Sequence, residues 1–214
     1  MTASPPRRVI LCPLQIEANA LRKAGIADPL KVCGPGADAV EKAVLEIVQT
    51  GEPPMLILAG LAGGLDPRIK AGEARWVTRI VSPTGALLGQ VSQPRSKQKA
   101  DCTVCTVDSP VDTPQAKQEL HKASGADLVD MESSRFVEVC QQLGVSWAIL
   151  RGVSDDSAQH LPGGSEHMVD HQGCPRLGQI CKFLLSHPWH IPSLIKLSLR
   201  TSRALKRVAA ELNS

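Results

Sequence analysis

Short apolar runs alternate along this chain with segments whose apolar residues recur at helical spacing. Val9–Leu14 and Met55–Leu58 have the composition of buried strands, and Ala37–Gln49 has that of an amphipathic helix. On that helix one face would carry Val40, Val44, Leu45 and Val48. This alternation is typical of βα units, which build a mostly parallel or mixed sheet with helices on both faces. Sites in such sheets open at the carboxyl ends of the strands.

The other predicted elements follow the same rhythm. Strands are predicted at Leu30–Cys33, Ala74–Val81, Thr103–Val107, Leu128–Asp130 and Trp147–Gly152, and helices at Gln15–Ala24, Pro114–Ser124 and Ser133–Gln142. Thr113 followed by Pro114 is a strong helix start, and Gly125 is the matching stop. Pro83–Ala100 is predicted to be an exposed, polar segment.

Composition narrows the class of protein. A chain of 214 residues suits one sizeable domain, and its net charge of +3 is too small to argue for nucleic acid. Two Phe, three Trp and no Tyr are too few for a base-stacking platform. Seven scattered Cys, several in apolar runs, predict reduced thiols in a cytoplasmic protein. The first apolar run is too short for a signal peptide or a membrane span.

The end of the chain differs from the rest. We predict a catalytic domain over residues 1–187 and a helical tail over 188–214, with one amphipathic helix at Ser193–Leu212. Its apolar face would carry Leu194, Leu197, Leu205, Val208 and Leu212, and its opposite face Lys196, Arg200, Arg203 and Arg207. The helix either packs on the domain with its basic face in solvent or touches an anionic membrane surface.

Four segments carry the candidate chemistry, and each adjoins a predicted strand end. They are Glu17 with its flanking residues, the glycine-rich segment 59–67, Asp130-Met131-Glu132-Ser133, and Arg151-Gly-Val-Ser-Asp155-Asp156. Because carboxyl ends of neighbouring strands meet at one edge of a sheet, these carboxylates are predicted to share one crevice. Such a constellation favours an enzyme that cleaves a nucleoside.

These segments together resemble the nucleoside phosphorylase and nucleosidase superfamily. AGLAGGLDP, GADLVDMESS and ILRGVSDDSAQHLP carry the match. The chain is similar to 5′-methylthioadenosine/S-adenosylhomocysteine nucleosidases and, more closely, to the hopanoid-associated phosphorylase branch that is thought to act on adenosylhopane. The tail pattern SLIKLSLRTSRALKRV also looks like that branch. The resemblance implies a three-layer fold of the nucleoside phosphorylase type: a mixed, mostly parallel central sheet flanked by helices, with a C-terminal amphipathic helix.

The resemblance also implies roles for the carboxylates. Asp155 matches the general acid at purine N7, which needs a carboxyl group that carries a proton near neutral pH. Ser154 would orient Asp155, Asp156 would add negative charge, and only one of the two aspartates should face the base. Glu132 matches the residue that binds the ribose 2′ and 3′ hydroxyls, with Met131 packed against the sugar. The alternative for Glu132 is a capping-box partner or a first-turn acid on the next helix.

Glu17 matches the base that activates water, and its alternative is a helix-dipole role in the first turn. Arg151 is a plausible partner for one of the carboxylates, because an unpaired guanidinium in an apolar strand is costly. Backbone N–H groups near Gly63 could meet an anion or a water. Leu61 takes the place of the hydroxyl that phosphorylases supply, which favours hydrolysis. Adenine would be held by the loop that contains Val111.

Three weaker signals are set aside. Gly34-Pro-Gly36 mimics a dinucleotide fingerprint, but no ribose-binding acid follows at the expected distance, so we predict tight strand–helix packing. Cys102-x-x-Cys105 has no second pair. His167, His171 and Cys174 lack a convincing fourth ligand. No metal and no cofactor are therefore expected.

The leading hypothesis is a purine nucleosidase that releases adenine from a 5′-substituted adenosine, most simply adenosylhopane, with water as nucleophile. Pro83–Ala100 and the apolar tail would shape the 5′ end of its pocket. A phosphorolytic enzyme, a methylthioadenosine/S-adenosylhomocysteine nucleosidase and an idle membrane-associated binding module are the alternatives. The expected partner is a small-molecule nucleoside, without nucleic acid. The resemblance also implies a homo-oligomer. The cysteines predict a cytoplasmic protein, and the basic face of the tail allows a peripheral position at the inner membrane face.

Overall fold

The computed structural model describes residues 7–51, 55–91, 102–161 and 191–214. Within these ranges, nine strands form one sheet: β1 Arg8–Cys12, β2 Leu30–Val32, β3 Met55–Gly64, β4 Ala74–Val77, β5 Arg79–Val81, β6 Leu87–Gln90, β7 Thr103–Thr106, β8 Leu128–Asp130 and β9 Trp147–Asp155. The described helices are α1 Gln15–Lys23, α2 Ala37–Val48, α3 Pro114–Ser124, α4 Ser133–Gln142 and α5 Ile191–Leu212.

The long strand β3 organises the sheet. On one side it pairs in parallel with β9 over Leu56–Gly63. On the other side its first half pairs in parallel with β1, and its end, Gly63 and Gly64, pairs antiparallel with β8. From β8 the sheet continues through β7, β5 and β6, and β4 lies antiparallel to β9. Most of these pairings are parallel, which confirms the predicted mixed sheet.

Helices cover both faces of the sheet. Alternate residues of β1 point to opposite sides, so Ile10 packs in a cluster with residues of α1 and α5, and Leu11 packs in another with residues of α2 and α4. Each face thereby buries its own apolar cluster, and the predicted three-layer arrangement is confirmed.

The local signals at α3 act as predicted. The Thr113 hydroxyl accepts a hydrogen bond from the backbone N–H of Ala116, and Pro114 occupies the first turn. The helix ends at Gly125, whose φ of 66° is the left-handed conformation that favours glycine.

Two predicted strands are too short. β3 continues to Gly64 and β9 to Asp155, whereas Leu58 and Gly152 were their expected ends. The glycines after Leu58 are part of β3, where their missing side chains let other groups approach the backbone. A Cβ at Gly60, for example, would lie only 2.7 Å from Oε1 of Glu17. Likewise, a Cβ at Gly152 would lie 3.1 Å from side chains of α5.

Two other predictions need correction. The single strand expected at Ala74–Val81 is interrupted at Thr78, where the chain leaves β9 and joins β7. Pro83–Ala100 contains the strand β6, whose Gly89 is buried, although Leu87 and Leu88 are exposed. Residues 92–100 of that segment lie outside the described residues.

The C-terminal helix α5 packs on the domain. Ala204, Leu205, Val208, Ala209 and Leu212 are buried, and several of them belong to the cluster beneath β1, β3 and β9. Its opposite side exposes basic side chains, as the amphipathic pattern predicts. Within the described part of the chain, no helix combines the length and the apolar character that a bilayer crossing requires.

Candidate active site

A cavity of about 300 Å³ lies where the ends of β3, β8 and β9 meet the start of α1. Its polar lining includes Glu17, Asp130, Glu132, Ser154 and Asp155. Most of the remaining lining is aliphatic or proline: Pro13, Leu14, Pro35, Leu61, Ala62, Gly63, Val107, Pro110, Val111, Val129, Met131 and Leu161. The cavity volume lies at the lower end of the range for small-molecule sites.

Glu17 is held rigidly and is almost completely buried. Its Oε2 accepts a hydrogen bond of 2.7 Å from the Leu14 N–H, and its Oε1 accepts one of 2.8 Å from the Leu61 N–H. Burial raises the pKa of Glu17 to about 7, although both backbone donors and the charge of Arg151 oppose the rise. Glu17 therefore both binds a backbone N–H at the start of α1 and lines the cavity. A carboxyl group with this pKa suits a general base near neutral pH.

Glu132 joins three parts of the chain. Its Oε1 accepts a hydrogen bond of 3.0 Å from the Gly36 N–H, and its Oε2 accepts one of 3.2 Å from Nη2 of Arg151. Burial raises the pKa of Glu132, while the positive charge of Arg151 opposes that rise. Glu132 is the N-cap residue of α4, but its carboxylate makes no capping hydrogen bond, so the capping-box alternative is wrong. Its remaining lone pairs can accept sugar hydroxyls.

Arg151 is fully buried beneath the cavity and does not line it. Its guanidinium forms ion pairs with Asp130 at 2.6 Å and with Glu132 at 3.2 Å, which confirms its expected pairing with a carboxylate. Asp130 also accepts hydrogen bonds from Thr106 and Ser133. Among the described residues, Nη1 of Arg151 has no hydrogen-bond partner, so the guanidinium keeps a spare buried donor.

Asp155 and Asp156 point apart, as expected for successive residues. Asp155 lines the cavity, and the Ser154 hydroxyl lies within hydrogen-bonding distance of its Oδ1. Asp156 instead accepts a hydrogen bond from the Ala71 N–H and pairs with Arg200. Asp156 therefore faces away from the cavity, and its charge is paired with that of Arg200.

A buried lysine contacts Asp155. Lys117 on α3 is fully buried, and its Nζ pairs with Oδ2 of Asp155. Lys117 was not predicted from the sequence, because α3 has an ordinary polar composition. One signal was available: a lysine so near a helix N-terminus opposes the helix dipole and calls for a compensating anion.

Residues 78–185, just over half of the chain, match the sequence model of the phosphorylase superfamily. The chain belongs to the phosphorylase superfamily. The predicted class of enzyme, a member of the nucleoside phosphorylase and nucleosidase superfamily, is thus confirmed. A comparison with curated proteins finds no match.

Solved structures share the fold of this superfamily member at low identity. Futalosine hydrolase of Helicobacter pylori is 13% identical with a TM-score of 0.65, covering 96% of this chain and 95% of its own. A 5′-methylthioadenosine/S-adenosylhomocysteine nucleosidase of H. pylori is 14% identical with a TM-score of 0.64, covering 98% and 97%. The nucleosidase of Colwellia psychrerythraea, solved with adenine, is 12% identical with a TM-score of 0.62, covering 98% and 96%.

The cavity brings together seven of the eight residues that the sequence singled out: Glu17, Gly63, Val111, Met131, Glu132, Ser154 and Asp155. The eighth, Arg151, supports them from below. The described parts of Pro83–Ala100 and of α5 do not line the cavity, which does not support their expected role at its 5′ end. The described lining contains no aromatic ring that could stack on a base. Phe136 lies near these segments in the sequence but is buried in the core.

The weaker sequence signals have structural explanations. Gly36 starts α2 with a φ of 90°, and its N–H binds Glu132. Cys102 and Cys105 are buried free thiols, and burial raises the pKa of Cys105 to about 11. His167, His171 and Cys174 lie outside the described residues. Among those described, no group of three or more His, Cys, Asp or Glu could hold a metal ion.

Proposed function

We propose that this protein hydrolyses the N-glycosidic bond of a 5′-substituted adenosine and releases adenine. The observation that carries the proposal is the convergence of Glu17, Glu132 and Asp155, which are far apart in sequence, on one small cavity. Asp155 protonates N7 of the leaving purine, and Glu132 holds the ribose hydroxyls and stabilises the cationic sugar. Glu17 takes a proton from the attacking water.

The charge of the site supports water rather than phosphate as the nucleophile. Among the described residues, four carboxylates line the cavity, and the two cations that contact them, Arg151 and Lys117, are already paired with three of these groups. A phosphate dianion would enter a region with surplus negative charge, and the described lining residues offer it no cation. Leu61, in place of a hydroxyl, adds no donor beyond its backbone N–H, which Glu17 already uses.

The aliphatic lining supports an apolar 5′ substituent. A substituent with ionised groups would require partners of opposite charge, whereas a thioether or a hydrocarbon needs only apolar contact. We therefore propose a long hydrocarbon, as in adenosylhopane, with the methylthio group as the smaller alternative. Adenine would lie between aliphatic side chains near Pro110 and Val111.

Adenine release from a panel of nucleosides tests the function. We expect adenine and the free sugar from adenosylhopane or methylthioadenosine, with kcat/KM at least about tenfold higher than for S-adenosylhomocysteine, whose 5′ group is charged. Futalosine serves as a further comparison. Added phosphate should leave the rate unchanged and give no ribose 1-phosphate. No base release from any of these nucleosides by folded protein would overturn the proposal, and ribose 1-phosphate would establish phosphorolysis instead.

We further propose that the N-terminal half of α5 contacts anionic membranes from the cytoplasmic side. Ile195 and Leu199 are 55% and 66% exposed, and Lys196 is exposed between them. Apolar and basic groups on one helix suit the headgroup region of an anionic bilayer. We expect the protein to float with anionic vesicles at low salt, less at high salt, and less after Lys196→Glu combined with Leu199→Ser. Flotation unchanged by this double substitution would contradict the idea.

A further inference from the structure

The hydrogen bonds of Lys117 indicate that it is charged. Its Nζ donates to Oδ2 of Asp155 and, at 3.1 Å each, to the backbone carbonyls of Asp156 and Gln159. An ammonium group has three N–H donors and a neutral amine has two, so three acceptors match the ammonium. The partner carboxylate is then ionised, since a charged lysine with no exposed surface needs an anion beside it.

An ionised Asp155 has no proton to give to a leaving purine. The carboxylate is engaged at both oxygens, at Oδ2 by Lys117 and at Oδ1 by the Ser154 hydroxyl. General acid catalysis at N7 therefore requires a proton source behind Asp155. Lys117 is the one group in direct contact with this carboxylate, among those described, that carries a transferable proton on a positive charge.

We infer that Lys117 is a positioning residue that supplies the proton which Asp155 passes to N7 of the leaving base. This inference rests on the proposed nucleosidase function. When the purine fills the cavity and displaces water, the lower polarity disfavours the separated charges of the pair. Transfer of a proton from the Lys117 ammonium to Asp155 converts two charged groups into two neutral ones.

The protons and electrons of this sequence balance. The C1′–N9 bond breaks and its electron pair goes to the purine, N7 accepts a proton from Asp155, and Asp155 accepts one from Lys117. Water adds to C1′ and loses a proton to Glu17. Lys117 is then a neutral amine and Glu17 a carboxylic acid, and exchange of one proton with solvent restores both.

Ser154 can follow the change in protonation. Its Oγ lies within hydrogen-bonding distance of Oδ1 of Asp155 and 3.1 Å from the Ala62 carbonyl, yet a hydroxyl has one proton. While Asp155 is ionised, the hydroxyl donates to it. Once Asp155 is protonated, the hydroxyl can rotate and donate to Ala62.

The test compares two leaving groups. At high pH, where solvent does not protonate Asp155 directly, we expect Lys117→Met to lower kcat about 100-fold or more with the best 5′-substituted adenosine, and part of the loss should be recovered as the pH falls. The same variant should change kcat little with a 4-nitrophenyl riboside that carries the same 5′ group, because nitrophenolate leaves without being protonated. Lys122→Met, on an exposed position of the same helix, should leave both rates unchanged. An equal loss with both substrates would show a purely structural role and overturn the inference.

Two further measurements cover a Lys117→Met variant that does not fold. Lys117→Arg keeps the positive charge but does not release a proton, so restored adenosine cleavage in that variant would overturn proton supply, and continued loss supports it. The infrared difference spectrum between wild type and Asp155→Asn should show an ionised carboxylate in the free enzyme; a protonated carboxyl band would overturn the inference. Failure of the proposed function itself would be visible in the wild type, as absent adenine release.

Discussion

Glu17→Gln is expected to lower kcat for adenine release by about 10²–10⁴-fold, the usual contribution of a general base. The amide has nearly the shape of the carboxylate but cannot accept a proton from water. Substrate binding should change much less, because Glu132, rather than Glu17, is proposed to hold the sugar hydroxyls. The matched control is Glu46→Gln, which removes an exposed carboxylate paired with Lys31 on the surface and should leave kcat unchanged. Comparable activity of Glu17→Gln and wild type would exclude Glu17 as the base.

The pH dependence of kcat/KM in the wild type should report the ionisation of Glu17. Burial raises the pKa of Glu17 to about 7, so the ionised base accumulates as the pH rises through that value. We expect kcat/KM to increase about tenfold per pH unit well below pH 7 and to level off above it. The residual activity of Glu17→Gln should lack this limb.

The same raised pKa makes Glu17 a cost to folding at high pH. The folded protein binds this proton more tightly than the unfolded chain does, since the pKa is about 7 when folded against a model value of 4.5. The contribution of Glu17 to stability is therefore fully present below about pH 4.5 and is lost as the pH rises through about 7, a difference of about 3 kcal/mol. A buried carboxyl group whose ionised form destabilises the fold is expected at a position where the residue serves catalysis rather than stability.

The sequence predicted the carboxylates of the site because their chemistry and their position relative to strands are local properties. Glu17, Glu132 and Asp155 each lie at or just beyond a strand end, and the strands meet at one edge. Their partners are not local. Gly36 and Glu132 are 96 residues apart, and Lys117 and Asp155 are 38 apart, so no window of sequence contains these contacts.

The errors in the fold prediction also have a physical origin. Glycine usually weakens a strand, so Gly60, Gly63 and Gly64 suggested a loop after Leu58. In the structure these positions are strand residues whose missing side chains leave room for Glu17, Val129 and the Asp155 backbone. The close approach that requires glycine is a tertiary contact, which only the assembled fold reveals.

Arg151→Met is expected to lower the free energy of unfolding by about 3–5 kcal/mol at pH 8. Asp130 and Glu132 would remain buried, and their negative charges would lose the cation that now lies between 2.6 and 3.2 Å away. For a domain of this size such a loss lowers the Tm by on the order of 10 °C, measurable by a thermal melt monitored by circular dichroism. Methionine fills similar space, so the effect would report charge rather than a cavity.

The destabilisation of Arg151→Met should depend on pH. Burial raises the pKa of Glu132 and the charge of Arg151 opposes that rise, so without the guanidinium Glu132 binds its proton more tightly when folded. Lowering the pH to 5.5 should therefore recover part of the lost stability. The matched control is Arg135→Met, which removes another arginine paired with two carboxylates, Glu41 and Glu138, at the solvent-exposed surface. Water already solvates those groups, so a much smaller change is expected. Equal, pH-independent losses of stability in both variants would mean that Arg151 acts through packing alone. Its guanidinium would then not stabilise the ionised forms of Asp130 and Glu132.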